Sequence, residues 1–155
     1  MVGADVPVCL ESRARFMRGI GNKLSPPLML PPLPAVLVNP GVPLAPRAVF
    51  ARFVRVPGDP ESLGDVPRGF DALIDFLGRH GNDLTDAAIA CVPMIATVLD
   101  ALRALPGVRL ARMSGSGPTC FALFGSHDQA EAAAQRLKTA RQDWWIAPTN
   151  FASMR

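Results

Sequence analysis

Twelve of the 16 prolines lie at or before Pro67, and each fixes φ and withdraws a backbone donor. The first part of the chain must therefore be extended and turn-rich, while the second part is free to carry long helices. Over residues 6–30, apolar residues alternate loosely with polar ones, as in Ala14 and Phe16 against Arg13 and Arg15. Gly19, Gly21 and Pro26 break that alternation, which reads as short antiparallel strands. Residues 35–39 form an apolar strand stopped by Pro40-Gly41. Pro46 then opens a short helix over 47–53, at the first-turn position where its missing N–H costs little. Residues 56–69, with Pro57, Pro60, Gly64 and Pro67, predict a surface loop.

The second part is helical in texture, then mixed. Phe70, Leu73, Ile74 and Leu77 share one face of a helix ending near Gly81. Residues 82–86 form a connection with capping residues, and Pro93 opens a helix that carries Ile95, Val98, Leu99, Leu102 and Leu105 on one stripe. Pro106-Gly107 stops it. Alternation over 108–113 and a β-like run over 119–124 flank Ser114-Gly-Ser-Gly-Pro118, and alanine-rich 128–142 forms a helix capped by Asp128 or Ser126. Trp144-Trp-Ile-Ala147 predicts a last strand, with the two tryptophans on opposite faces and one of them exposed. From residue 35 the order is βαββαβ, which predicts an α+β ferredoxin-like fold, an antiparallel sheet with helices on one face. The earlier strands must join at an edge or link to something else.

Composition excludes several classes. With 155 residues, 49% apolar content and a net charge of only +3, the chain has a single domain's length and is not compositionally disordered. Cys9, Cys91 and Cys120 are widely spaced without a CxxC pair, and His80 and His127 are the only histidines. Neither a disulfide framework nor a metal centre is expected, and the thiols read as small half-buried or buried side chains in a reducing compartment. No apolar run reaches the roughly 18 residues needed to cross a bilayer. The first residues lack a basic, then apolar, secretory signal, so a soluble cytoplasmic protein is expected. The cations are nearly all scattered arginines, with Arg13, Arg15 and Arg18 the densest group, which suits an anionic ligand without singling out nucleic acid. Base stacking is disfavoured as well, because the chain has no tyrosine and Phe121 and Phe124 fall on opposite faces of their strand.

Two segments carry chemistry. Met113-Ser-Gly-Ser-Gly-Pro-Thr-Cys120 is either a tight hairpin loop needing positive φ at Gly115 and Gly117, or an anion-binding nest with the hydroxyls of Ser114, Ser116 and Thr119 nearby. It matches neither the P-loop nor the dinucleotide pattern. In Gly3-Ala-Asp5-Val-Pro7, Asp5 is either a solvated carboxylate or a general base held between glycine and proline.

Gly3-Ala-Asp-Val-Pro7, Gly19-Ile-Gly21, Leu37-Val-Asn-Pro-Gly-Val42, Asn82-Asp-Leu84 and Arg112-Met-Ser-Gly-Ser-Gly-Pro-Thr-Cys-Phe121 occur in that order. Together they resemble the 4-diphosphocytidyl-2-C-methyl-D-erythritol kinases, a branch of the GHMP small-molecule kinases, over nearly the whole chain. The resemblance implies use of ATP and Mg2+ to phosphorylate the 2-hydroxyl of a cytidine diphosphate methylerythritol in non-mevalonate isoprenoid synthesis. It implies Asp5 as the catalytic aspartate, and Ser114, Gly115, Ser116, Gly117 and Thr119 as a substrate or phosphate loop. It also implies a division into residues 1–33, a seam from the end of the N-terminal lobe, and residues 34–155, the C-terminal domain. Family members are close to twice this length, and the early lysine and ATP-phosphate loop of their N-terminal half are not found here. The expectation is therefore a chain that lacks the N-terminal lobe, is inactive alone and tends to self-associate through the surface that lobe covers. Ala45-Pro46 also departs from relatives that place a hydroxyl residue before this proline, which removes one substrate contact. The alternative is a non-catalytic ferredoxin-like module that binds or responds to a small molecule.

Overall fold

The fold follows from strands that are apolar on both sides. A computed structural model describes residues 13–18, 23–54 and 64–151. The loop expected over 56–69 is described only from Gly64 onward, where it carries neither helix nor strand before Phe70. The two-residue strands β1 (Met17–Arg18) and β2 (Lys23–Leu24) pair antiparallel as a small sheet of their own. The early strands thus do not extend the main sheet.

After them come β3 (Leu33–Asn39), α1 (Pro46–Arg52), α2 (Phe70–Arg79), α3 (Thr85–Cys91), α4 (Met94–Arg103), β4 (Val108–Met113), β5 (Cys120–Phe124), α5 (His127–Ala140) and β6 (Trp145–Phe151). The main sheet has the order β4-β5-β3-β6 with every neighbouring pair antiparallel. The first and third strands of the βαββαβ series lie inside, which is the ferredoxin-like arrangement expected. Proline is accommodated where a donor is not needed. Pro148 sits on the edge strand β6, and Pro34 lies just outside the stretch of β3 that pairs with β5, Ala35 to Val38.

Side-chain alternation splits the core in two. Val36 and Val38 of β3, with Cys120, Ala122 and Phe124 of β5, face the apolar stripes of α1, α3, α4 and α5. On the opposite face Ala35 and Leu123 meet Leu73, Ile74 and Phe76 of α2, with Phe16 and Leu30 packed alongside. The helices-on-one-face expectation holds for four helices and is extended by α2, which covers the second face. The cause lies in the central strands, whose residues are apolar at successive positions, so both faces of the sheet need a cover. The first turn of α2 is also tied to β4, where Arg109 Nη2 lies 2.6 Å from Asp71 Oδ1 and its guanidinium 5.5 Å from the centre of the Phe70 ring.

Ends of elements obey local rules. Ser126, not Asp128, caps α5, its hydroxyl accepting from the Gln129 N–H at 3.3 Å. Trp144 is buried and stacks under Arg141, whereas Trp145 is 56% exposed. Among the described residues no helix is long and apolar enough to cross a membrane.

Cys120 is fully buried, and desolvation pushes its thiol from 9.0 up to about 12, against a smaller downward pull from Arg103. Between those values the unfolded chain releases a proton that the folded chain keeps. The stability this thiol contributes is complete below pH 9.0 and is lost as pH rises towards about 12. Cys120→Ala is therefore expected to flatten the alkaline fall in unfolding free energy measured in urea between pH 9 and 11. An unchanged slope contradicts the assignment.

Candidate functional site

The connection from β4 to β5 is the glycine-rich loop, closed by two internal hydrogen bonds. The Ser114 N–H donates to the Thr119 carbonyl and the Gly117 N–H to the Ser114 carbonyl, each at 2.9 Å. Gly115 and Gly117 have φ of 53° and 80°, a region that disfavours any side chain, and a cis peptide precedes Pro118. Gly117 also lacks room for one. A Cβ there would lie 2.8 Å from Met113 Sδ and 3.4 Å from Leu44 Cδ2, and Met113 is itself buried.

Two asparagines brace the loop from outside. Asn39, at the end of β3, donates from Nδ2 to the Thr119 hydroxyl at 2.9 Å, while its Oδ1 accepts the Gly41 N–H. Asn82, in the turn before α3, donates from Nδ2 to the carbonyls of Met113 and Gly115 at 2.9 and 2.8 Å. Its Oδ1 accepts the Leu84 N–H at 3.0 Å, and its own carbonyl accepts the Thr85 hydroxyl. The capping expected over 82–86 is not found as such: the N-cap of α3 is Leu84, with no side-chain cap, and Asn82 instead closes the turn ahead of the helix by accepting the Leu84 N–H.

Beside the loop lies an open cleft of about 550 Å³ whose lining includes Phe50, Phe53, Asn82, Arg112, Ser114 and Gly115. Arg112 projects from β4 and donates to the Leu77 carbonyl. Burial lowers its pKa below the ordinary guanidinium value and leaves a cation at neutral pH in a partly dry setting. Asp83 adds a carboxylate to the same rim. Small residues, exposed backbone and one partly desolvated cation make this a place where an anionic group can be met by N–H donors and positive charge.

The structure brings some of the expected site residues together. Ser114 and Gly115 line the cleft, Gly117 forms the packed turn beneath it, and Thr119 is engaged by Asn39. Ser116 is half-buried at the loop's tip and is not among the cleft-lining residues. Asp5 lies outside the described residues, as does Gly19-Ile-Gly21. Phe50, Phe53 and Arg112 were not expected in the site; Arg112 stood inside a quoted motif, whereas the two phenylalanines carried no signal beyond helix packing.

Residues 62–142 match the family profile described as GHMP kinases C terminal. The chain belongs to the GHMP kinase family. It is 50% identical over 151 residues to the 4-diphosphocytidyl-2-C-methyl-D-erythritol kinase of Dinoroseobacter shibae, covering 96% of this chain and 52% of that protein. The enzyme of the same name from Methylorubrum extorquens is 45% identical over 155 residues, covering 97% of this chain and 53% of that protein. Among solved structures, a 4-(cytidine 5'-diphospho)-2C-methyl-D-erythritol kinase superposes with a TM-score of 0.69 at 35% identity, over 94% of this chain and 53% of that one. A homoserine kinase from Cytophaga hutchinsonii, at 19% identity and a TM-score of 0.64, shares the fold. This GHMP kinase chain spans about half the length of the curated relatives it matches.

Proposed function

We propose that this chain is the substrate-side half of a kinase that transfers a phosphoryl group from ATP to the 2-hydroxyl of 4-diphosphocytidyl-2-C-methylerythritol. The observation that carries the reading is the braced glycine-rich loop on an open cleft, in a chain 50% identical to an enzyme named for that substrate.

Phosphoryl transfer asks mainly for positioning and charge stabilisation. The loop suits the phosphate side of that task. With the Ser114 and Gly117 N–H groups bonded inside the loop, Gly115, Ser116 and Thr119 carry the N–H donors outside its described bonds, and the Ser114 and Ser116 hydroxyls belong to the same loop. Arg112 adds positive charge at the cleft. Asp5 would accept the proton of the attacking hydroxyl, or orient it, as its setting between Gly3 and Pro7 suggests. Among the described residues no three His, Cys, Asp or Glu side chains converge as a metal cage. Mg2+ would arrive with the ATP phosphates, where it would neutralise charge and keep several waters.

Isothermal titration separates this reading from a non-catalytic regulatory module. A cytidine diphosphate alcohol is expected to bind, and Arg112→Ala to weaken it; heat from an unrelated metabolite with none from the cytidine compound overturns the reading. Exposed Met29, Phe50 and Val54 also lead us to expect self-association. Light scattering at rising concentration checks it, and a monodisperse monomer throughout contradicts it.

A further inference from the structure

Asn82 contacts the glycine-rich loop from 31 and 33 residues away in sequence, through a single NH2 group that holds two carbonyls. That arrangement does more than tether. A trans peptide is rigid and planar, so its C=O and N–H point in opposite directions. Fixing the Met113 carbonyl on Asn82 turns the Ser114 N–H the other way, towards the Thr119 carbonyl that closes the loop. Fixing the Gly115 carbonyl likewise turns the Ser116 N–H away from Asn82. The carboxamide is itself held, since Oδ1 accepts the Leu84 N–H and the Asn82 carbonyl accepts both the N–H and the hydroxyl of Thr85. The first turn of α3 thereby sets the angle at which the loop presents its donors.

We propose that Asn82 is a positioning residue for anion binding, aiming the Ser116 N–H by gripping the Gly115 carbonyl. This rests on reading the loop as a phosphate site, and the test separates the two. Asn82→Ser is the informative variant. A serine hydroxyl can accept the Leu84 N–H in the same kind of turn, adds no charge, and is too short to reach both loop carbonyls.

The 155-residue chain and N82S would each be titrated with inorganic pyrophosphate and followed by amide nuclear magnetic resonance. In the unsubstituted chain the Gly115 and Ser116 cross-peaks are expected to shift. In N82S these two are expected to move or broaden before any ligand is added, with α4 and α5 resonances unchanged. Pyrophosphate affinity should fall about tenfold, the low end of what one hydrogen bond to a charged group is worth, because the Ser116 N–H is no longer aimed at the anion. Equal affinity in both chains overturns the role of Asn82 and leaves the loop as an anion site. No shift in the unsubstituted chain overturns the phosphate reading and the proposal with it. Should N82S fail to fold, hydrogen exchange of the Asn82 NH2 in the unsubstituted chain decides: slowed exchange supports the grip, and exchange as fast as a free carboxamide overturns it.

Discussion

Asp5→Asn, in this chain combined with the N-terminal half of a relative, is expected to slow ATP-dependent phosphorylation about 10²- to 10⁴-fold, the usual worth of a positioned general base. The amide keeps the size and shape of the carboxylate and loses the ability to take a proton. Binding of the cytidine substrate should change little, because the proton transfer matters only as the hydroxyl attacks. The signature is therefore a collapse of kcat at nearly constant KM. A loss below about fivefold would mean that Asp5 is a solvated carboxylate and that another group handles the hydroxyl.

Gly117→Ala is expected to be the most damaging single methyl in the loop. Its φ of 80° costs an L-residue about 1–2 kcal/mol. The new Cβ would stand 2.8 Å from Met113 Sδ, so that buried side chain must move or the loop must open. Overpacking of this kind adds about 1–3 kcal/mol. The sum, about 2–5 kcal/mol, corresponds to a drop in Tm of roughly 4–20 °C for a domain of this size. Gly115→Ala is the internal control, since its φ of 53° is also positive but nothing lies within 4 Å of the added methyl. It should lose only the backbone part, about 1–2 kcal/mol. Equal losses in calorimetry for the two variants would remove the role given to Met113.

Much of the fold was legible because its signals are local. The stripe Ile95, Val98, Leu99 and Leu102 is buried on α4, Pro46 opens α1, and the strands flanking the glycine-rich loop fall within a residue of their predicted ends. Periodicity along one element does not say which face of a sheet that element covers. The spacing of Phe70, Leu73, Ile74 and Leu77 thus predicts the helix α2 without its place opposite the other four. That placement is decided by Ala35 and Leu123, small and large partners across β3 and β5 on the second face.

The candidate site divides in the same way. The loop's two glycines announce themselves through the positive φ a tight connection demands. The asparagines that brace it stand 80 residues away at Asn39 and more than 30 away at Asn82, and no pattern within either segment specifies a partner so distant. Each stands at a turn and inside a segment that carries the family resemblance, Asn39 before Pro40-Gly41 and Asn82 before α3, but neither signal names the loop as its partner. A side chain satisfying its own turn with one atom and a remote loop with another looks, in sequence, like the turn alone.

As the proposed substrate side of a cytidyl-diphosphate methylerythritol kinase, these residues should need the other lobe for turnover. The most direct measurement is ATP-dependent phosphorylation of 4-diphosphocytidyl-2-C-methylerythritol by the 155-residue chain, with and without an added N-terminal half from a relative. Turnover only in the presence of that half is the predicted result. Turnover by the chain alone, or none in either mixture when both halves are folded, would contradict it.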